Sequence, residues 1–187
     1  MDPADCFALF DLARNPHLDE ALLRDRYHEQ VRKLVDPATG GGEEGRALHR
    51  AHEILSDPVL RLRHLLQLLA PDRKSGGTGL SGELVACFAE VGAVLQRADG
   101  LLTRLSRTVS ALGRALLAAE EAEVQVSLQN VLGMLQAKWD LELAGLRDLG
   151  GSEADVLESV LGRMRILQKW QGEVQARLLR LLTGGPG

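Results

Sequence analysis

Apolar residues recur at steps of three and four along most of this chain, which is the spacing of one face of an α-helix. The clearest example in the first third of the chain follows Asp19, a residue type that often caps the start of a helix. On a helical wheel Leu23, Tyr27 and Leu34 lie within about 40° of one another, with Val31 beside them. We therefore predict a helix that starts at Asp19 and buries this face.

Proline and glycine residues indicate where the N-terminal helices end. Pro37 cannot continue the first helix, and a glycine-rich loop follows to about residue 43. A second helix is predicted from about residue 44, because Leu48, Ala51, Ile54 and Leu55 recur at helical spacing. Ser56-Asp57-Pro58 ends this helix and starts another over residues 59–69, since serine and aspartate cap helices and proline suits the first turn.

A short apolar segment precedes these helices. Residues 2–12 contain two of the three phenylalanines of the chain, Phe7 and Phe10. Large aromatic side chains contribute most when they are buried, so we expect a helical turn that docks both rings on the larger helices.

The second part of the chain is predicted to form three long helices. Residues 83–121 and 123–149 have sustained three- and four-residue spacing, although Asp99-Gly100 could interrupt the first segment. Gly150-Gly151 stops the second segment, and Ser152 can cap the third. The apolar positions of the first segment are Val91, Leu95, Ala98, Leu102, Leu105, Val109, Leu112 and Leu116. Those of the second are Val124, Leu128, Val131, Leu135, Trp139, Leu143 and Leu146, and those of the third are Val156, Val160, Met164, Leu167, Trp170, Val174, Leu178 and Leu181.

These patterns predict an all-α protein with two domains. An N-terminal helical hairpin occupies residues 1–70, and residues 71–82 form a hinge that is rich in glycine. Residues 83–183 form a coiled-coil-like three-helix bundle, because seven-residue repeats continue through all three segments. We expect residues 184–187 to be a disordered tail.

Composition and charge narrow the function classes. The net charge of −4 gives no reason to expect nucleic-acid binding. Cys6 and Cys87 form no CxxC pattern, so we expect two buried apolar thiols in a reducing compartment. The start of the sequence has no hydrophobic or arginine-rich leader, and no run of about 18 apolar residues occurs. We therefore expect a cytoplasmic protein that does not enter a membrane.

The helix after Asp19 has a basic edge. Arg24, His28 and Arg32 follow one another at i, i+4 and i+8, and Arg26 and Lys33 flank the apolar face. Like charges at this spacing repel one another by about 0.2–0.5 kcal/mol per pair. Two interpretations stay open at this point. The edge either meets an acidic partner, or it is a solvated face in which Glu29 pairs with Lys33 at i, i+4.

Three segments of the N-terminal part resemble a J-domain. The run Cys6-Phe7-Ala8-Leu9-Phe10-Asp11-Leu12 resembles the family opening YFxLFxL, and residues 18–27 resemble helix II, where an aromatic follows an arginine. Residues 51–66 resemble the family run A(W/Y)xxLxxPxxRAxYLLxL. Because His64-Leu65-Leu66 stands at the YLL word, the chain resembles the HscB-type co-chaperones of iron–sulfur cluster assembly more than a general J-protein. The resemblance covers about residues 5–182.

The resemblance implies a DnaK/HscA-type chaperone as one partner. In the family, a His-Pro-Asp tripeptide contacts the chaperone and stimulates its ATPase. Val35-Asp36-Pro37 occupies those positions here, so we expect weak or absent stimulation, and an ordinary turn is the preferred interpretation of Asp36 and Pro37. The residues that would face the chaperone are Arg24, Arg26, His28, Arg32, Lys33, Val35, Asp36 and Pro37.

The resemblance also implies an iron–sulfur scaffold protein as a second partner. Residues 163–170 resemble the family run KLRFLDKL, whereas the segment around Phe88 has small residues where the family has bulky apolar and acidic ones. Losing such anchors is expected to cost roughly 1–2 kcal/mol each. The residues aligned with the scaffold-binding face are Phe88, Ala89, Glu90, Gly92, Ala93, Gln96 and Ile166.

An enzyme is not expected, because no nucleophile–base spacing, P-loop or dinucleotide fingerprint is present in the sequence. No cofactor and no metal are expected either. His49 and His52 stand at i, i+3, but only Glu53 accompanies them, so two neutral or solvent-facing histidines are preferred to a metal site. The alternative to a co-chaperone is a degenerate J-like adaptor with a different partner, or an oligomerisation module that self-associates through its leucine-rich helices.

Overall fold

The computed structural model describes residues 5–34, 42–72, 82–150 and 153–183 of the chain. These residues form helices and no strand, so the prediction of an all-α protein is confirmed. The helices are α1 (Cys6–Leu9), α2 (Glu20–Leu34), α3 (Glu43–Ser56), α4 (Pro58–Leu69), α5 (Gly82–Arg107), α6 (Ala111–Gly145) and α7 (Ala154–Thr183), with a 3₁₀ helix at Leu146–Leu149 between α6 and α7.

The chain divides into two compact units. Unit 1 contains the described residues of Met1–Thr78 and of Glu142–Gly162. Unit 2 contains those of Gly79–Leu141 and Arg163–Gly187. The end of α6, the 3₁₀ helix and the start of α7 therefore belong to unit 1. The predicted boundaries at residues 70 and 82 stay predictions, and the tail at 184–187 lies outside the described residues.

Short polar side chains cap the helices of unit 1 as the sequence predicts. Asp19 Oδ1 accepts a hydrogen bond from the Ala21 N–H at 2.8 Å at the start of α2. Asp57 Oδ1 accepts one from the Val59 N–H at 2.8 Å, and Pro58 occupies the first turn of α4. Each cap is worth about 1 kcal/mol, because it satisfies a backbone donor that has no partner inside the helix.

The core of unit 1 forms around α3, which packs against α1, α2 and α4. Phe7 and Phe10 are fully buried, which confirms that the short N-terminal segment docks its aromatic rings. Leu55, Leu62 and Leu65 complete the centre of this core. These leucines stand at the three- and four-residue spacing that places side chains on one face of a helix.

A buried arginine connects three segments of unit 1. Arg61 on α4 is only 4% exposed. Its Nε donates to the Pro16 carbonyl at 2.9 Å, and its Nη1 donates to the Leu55 carbonyl at 2.5 Å. Burial lowers the pKa of Arg61, while Glu20 and Asp57 act in the opposite direction. Leu55 lies in the last turn of α3, where backbone carbonyls lack helical partners, so Arg61 serves as a side-chain cap for α3.

A buried histidine fixes α1 on α4. His64 Nε2 accepts a hydrogen bond from the Cys6 N–H at 3.0 Å, and its ring stacks on Phe7 with 5.9 Å between the centroids. Burial lowers the pKa of His64, which favours the neutral ring that this bond needs. The thiols of Cys6 and Cys87 are buried, as expected, and burial raises the pKa of both.

Unit 2 has an aliphatic core to which α5, α6 and α7 all contribute. The predicted stripe of the second segment supplies its α6 part. The buried residues are Cys87, Val91, Ala98, Leu101, Val124, Leu128, Val131, Leu135, Leu167, Trp170, Val174 and Leu181. An ion pair between Arg177 Nε and Asp99 Oδ1 at 3.1 Å joins α7 to α5 at the edge of this core.

The boundary between the first two long helices was predicted wrongly. The segment expected to run from 83 to 121 ends at Arg107, and α6 begins at Ala111. Asp99-Gly100 does not interrupt α5, because both residues lie inside it. Ser110 provides the new start, since its Oγ accepts a hydrogen bond from the Gly113 N–H at 3.1 Å.

This turn places three predicted core residues in solvent. Val109, Leu112 and Leu116 are 92%, 73% and 75% exposed. The three- and four-residue spacing continues across the turn, but the chain reverses there, so the same spacing now follows the outer side of α6. Val156, the first apolar position of the third segment, is also exposed, and Ser152 lies outside the described residues.

None of the helices in the described parts of the chain has the length and apolar character that crossing a membrane requires.

Candidate functional site

The first candidate surface is the basic edge of α2. Arg24, His28 and Arg32 are all exposed, and they follow one another on the side of the helix that lies next to the buried Leu23 face. Within the described residues, no carboxylate lies within ion-pair distance of Arg24 or Arg32. Both guanidinium groups belong to exposed side chains.

The other two cations of this helix are already paired. Glu29 accepts Lys33 Nζ at 3.0 Å and Arg26 Nη1 at 3.5 Å. The hydrogen bond from Lys33 lowers the pKa of Glu29, with a smaller effect from Arg26. The i, i+4 pair predicted between Glu29 and Lys33 is confirmed, and Arg26 pairs with the same carboxylate at i, i+3. Exposed pairs of this kind add little to the stability of a helix, because water screens the charges.

A cluster of aromatic rings lies next to the basic edge. The Tyr27 ring lies 4.4 Å from the His52 ring and 5.6 Å from the His28 ring, measured between centroids. The Tyr27 hydroxyl is 3.5 Å from His49 Nδ1, which ties α2 to α3. Burial, followed by the nearby His49 and His28, lowers the pKa of His52, while Glu53 opposes the shift. This cluster positions His28 beside Arg24 and Arg32.

The sequence predicted the two α3 histidines as neutral or solvent-facing and missed their tyrosine neighbour, against which His52 is half-buried. His49 is exposed and 3.4 Å from Glu53. In the parts of the chain that the structure describes, no group of three histidine, cysteine or carboxylate side chains is placed to hold a metal ion. The only sequence signal for the cluster was that Tyr27 and the histidines fall on neighbouring predicted helices.

The second candidate surface lies on α5 in unit 2. Phe88 is 59% exposed, and its ring lies 5.3 Å from the Trp170 ring on α7. Gly92 and Gln96 follow Phe88 at i+4 and i+8, so they continue the same side of the helix. A large exposed aromatic ring that packs against a second aromatic ring is the kind of anchor that protein interfaces use.

The remaining residues of the predicted scaffold-binding face do not all lie on the same side of unit 2 as Phe88. Ala89 and Ala93 are exposed beside Gln96, whereas Glu90 projects about 200° around the helix from Phe88. Ile166 is half-buried against the core of unit 2, one turn before Trp170 on α7. The structure therefore brings Phe88 together with Trp170, which the sequence had placed only in the buried stripe.

The tripeptide Val35-Asp36-Pro37, predicted to replace a His-Pro-Asp motif, lies outside the described residues. The basic edge is described only as far as Leu34 at the end of α2.

No model of a protein family matches the sequence, and a search of curated proteins found no match to it.

Proposed function

We propose that this chain is an HscB-like J-domain co-chaperone. Its α1–α4 region corresponds to a J-domain and its α5–α7 region to the bundle that presents a client. It binds a DnaK/HscA-type chaperone through the basic edge of α2 and an iron–sulfur scaffold protein through α5. Its stimulation of the chaperone ATPase is weak or lost.

The observation that carries this proposal is the exposure of Arg24 and Arg32 with no carboxylate beside them in the described structure. They are eight positions apart, so their side chains emerge about 12 Å apart along α2. Cations arranged in this way complement an acidic surface, where they accelerate encounter and fix orientation more than they add affinity. His28 lies between them and is positioned by the Tyr27 ring.

The expected loss of stimulation comes from the sequence alone. Val35-Asp36-Pro37 has no imidazole, and it presents aspartate and proline in the reverse order to the family tripeptide. Binding and stimulation are separable here, because the cations of α2 precede the tripeptide and do not depend on it for their charge. The proposed protein therefore docks on the chaperone without triggering it.

The proposed client site rests on Phe88. Its ring is exposed and is supported by Trp170, while the neighbouring Ala89, Gly92 and Ala93 contribute little side-chain surface. One aromatic anchor surrounded by small residues supports a single hot spot of about 2 kcal/mol. Binding to the scaffold protein is therefore expected to weaken about thirtyfold when Phe88 becomes alanine.

The small residues around Phe88 also favour a second candidate, a J-like adaptor that has another partner in place of the scaffold protein. The two functions differ in a simple binding experiment. An adaptor binds the chaperone but gives no signal with the scaffold protein, and Phe88→Ala then changes nothing in that assay.

The proposal is tested by titrating a DnaK-type chaperone in its ATP state with the chain and with the double variant Arg24→Glu/Arg32→Glu. The variant should bind at least about tenfold more weakly, and its affinity should depend less on salt. The matched control is Arg50→Glu/Arg63→Glu, which changes the net charge equally at two exposed positions of α3 and α4. No binding by the unmodified chain, or the same loss in both variants, would contradict the proposal.

A further inference from the structure

One end of unit 2, where α5 turns into α6, exposes a cluster of large apolar side chains. Val109, Leu112 and Leu116 are 92%, 73% and 75% exposed, and every other large apolar side chain of the described residues is less exposed. Val109 lies in the turn, and the two leucines stand at i and i+4 in the first two turns of α6, so they are neighbours. Single exposed apolar residues are normal on a protein surface, but a cluster of this kind indicates an interaction surface.

Two ion pairs show that all three helices of unit 2 have an end near this turn. Arg104 of α5 pairs with Glu120 of α6. Arg177 of α7 pairs with Asp99 of α5 at 3.1 Å. Beyond these pairs α5 and α7 continue to their C-terminal ends, and α6 has just begun, so the three segments form one end of the unit. We call this end the tip of unit 2, and it consists of residues 101–119 and 174–183.

The tip is basic, although the whole chain is acidic. It contains five arginines and no aspartate, glutamate or lysine, whereas the chain has a net charge of −4. Residues 184–187, which follow the tip in the sequence, add no ionisable side chain. Positive charge beside exposed leucines complements a partner that is both anionic and apolar. The five residues are Arg104, Arg107, Arg114, Arg177 and Arg180.

The hydroxyl groups of the tip form hydrogen bonds with the backbone. Thr108 Oγ1 donates to the Arg104 carbonyl at 2.8 Å. Ser110 Oγ accepts a hydrogen bond from the Gly113 N–H at 3.1 Å. A hydroxyl without a partner costs free energy when it leaves water, so these bonds lower the cost of placing the tip at an apolar boundary. The other hydroxyls of the tip, which each donate to a backbone carbonyl of their own helix, are Thr103, Ser106 and Thr183.

We propose that the tip docks on a membrane surface that contains anionic phospholipids. Val109, Leu112 and Leu116 enter the boundary between head groups and acyl chains. The arginines lie at the level of the phosphates, to which a guanidinium group can donate two parallel hydrogen bonds. Leu179 and Leu182, which are 61% and 62% exposed, enlarge the apolar part of the tip. These residues come from a turn and from the ends of two helices, which suits a flat surface, whereas a partner helix in a groove needs anchors along several turns.

Docking through the tip requires no helix that crosses the bilayer, because only the end of unit 2 enters the head-group region. It departs from the sequence-based expectation of a protein that does not enter a membrane, which considered leader sequences and membrane-spanning runs. Phe88 precedes Arg107 by about 28 Å along α5. A membrane-bound tip leaves the Phe88 side of α5 free, so this inference goes beyond the proposed function and does not rest on it.

The first test is cosedimentation of the full chain with two kinds of vesicle, one of phosphatidylcholine alone and one that contains about 30% phosphatidylserine. The chain should bind the anionic vesicles at least about tenfold more tightly than the neutral ones, and added salt should weaken this binding. Equal binding to both overturns the proposal. Binding to neither overturns it too, including the case in which the tip binds another protein.

The second test removes charge from the tip. Arg107→Gln/Arg180→Gln should weaken binding to the anionic vesicles by about tenfold or more, because each cation near such a surface contributes roughly fivefold. The matched control is Arg165→Gln/Lys169→Gln, which makes the same change at exposed positions of α7 about 16 Å or more before Arg180. The control should retain its binding, because that distance exceeds the range of the surface potential. The same loss in both variants would indicate attraction by overall charge and would overturn the proposal.

The third test asks whether the apolar residues enter the membrane. Val109→Cys is labelled with a fluorophore whose emission shifts to the blue in apolar surroundings, and Leu141→Cys, at an exposed position near the other end of α6, is the matched control. The native thiols Cys6 and Cys87 are buried and give a low background. The label at position 109 should shift when anionic vesicles are added, and the label at position 141 should not. No shift at position 109, or an equal shift at both positions, would refute docking through the tip.

Discussion

Replacing Arg61 by methionine should destabilise unit 1 much more than the same replacement at its exposed neighbour Arg63. Methionine keeps most of the side-chain volume but loses the hydrogen bonds to the Pro16 and Leu55 carbonyls. Hydrogen bonds from a charged group contribute about 1.5–3 kcal/mol each, and the variant no longer buries a charge, which offsets part of the loss. We therefore expect a net cost of about 3 kcal/mol, equivalent to about a hundredfold change in the opening equilibrium.

Amide hydrogen exchange is the suitable assay, because Trp139 and Trp170 both lie in unit 2 and tryptophan fluorescence would report on the wrong unit. Protection in α3 and α4 should fall by about a hundredfold in Arg61→Met, with the amides of α6 between residues 124 and 135 unchanged. Arg63→Met should stay within about 0.5 kcal/mol of the unmodified chain. Protection lost equally in both variants, or in neither, would refute the view that Arg61 holds α3, α4 and the segment before α2 together.

Two further predictions concern the buried histidine and the core of unit 2. Because the folded pKa of His64 is lowered, the unfolded chain binds a proton first as the pH falls below about 6.5, so stability is present above that pH and declines below it. His64→Gln keeps an acceptor for the Cys6 N–H, and its melting temperature should change less with pH between about pH 7.5 and about pH 5. An unchanged dependence on pH would exclude His64 as the source of the pH effect. Leu128→Ala removes a fully buried side chain and should lower the unfolding free energy of unit 2 by about 2–5 kcal/mol. Urea denaturation followed by tryptophan fluorescence measures this change. A cost below about 1 kcal/mol would show that the core collapses around the gap.

Local signals predicted much of the fold. Asp19 and Asp57 cap the helices that they were expected to cap, because capping depends on residues only two or three positions apart. The buried positions of α6 from Val124 to Leu135 were also predicted, since a stripe that keeps one spacing inside one helix has only one face to bury.

The turn between α5 and α6 could not be predicted from spacing. Thr108-Val109-Ser110 contains no glycine or proline, and the apolar steps continue through it to Leu116. The period identifies a face but does not say whether the chain has reversed, so Leu112 and Leu116 were assigned to the core and are exposed. Ser110 was the one available signal, as a residue type that caps helices.

Contacts between residues that are far apart in the sequence could not be predicted either. His64 and the Cys6 N–H are 58 positions apart, and Tyr27 and His49 are 22 apart. Each pair comes together only because α1, α2 and α4 surround α3, which is a property of packing and not of local pattern. The pairing of the α2 cations likewise depends on which side chains Glu29 reaches, and only the structure shows that it reaches both Arg26 and Lys33.

The most direct test of the proposed function is the ATPase rate of a DnaK/HscA-type chaperone with this chain and with the variant Val35→His/Asp36→Pro/Pro37→Asp. The account predicts that the unmodified chain binds the chaperone and leaves the rate within about twofold, while the variant raises it by about tenfold or more. Strong stimulation by the unmodified chain would contradict the account, and so would a variant that gives no stimulation and no binding.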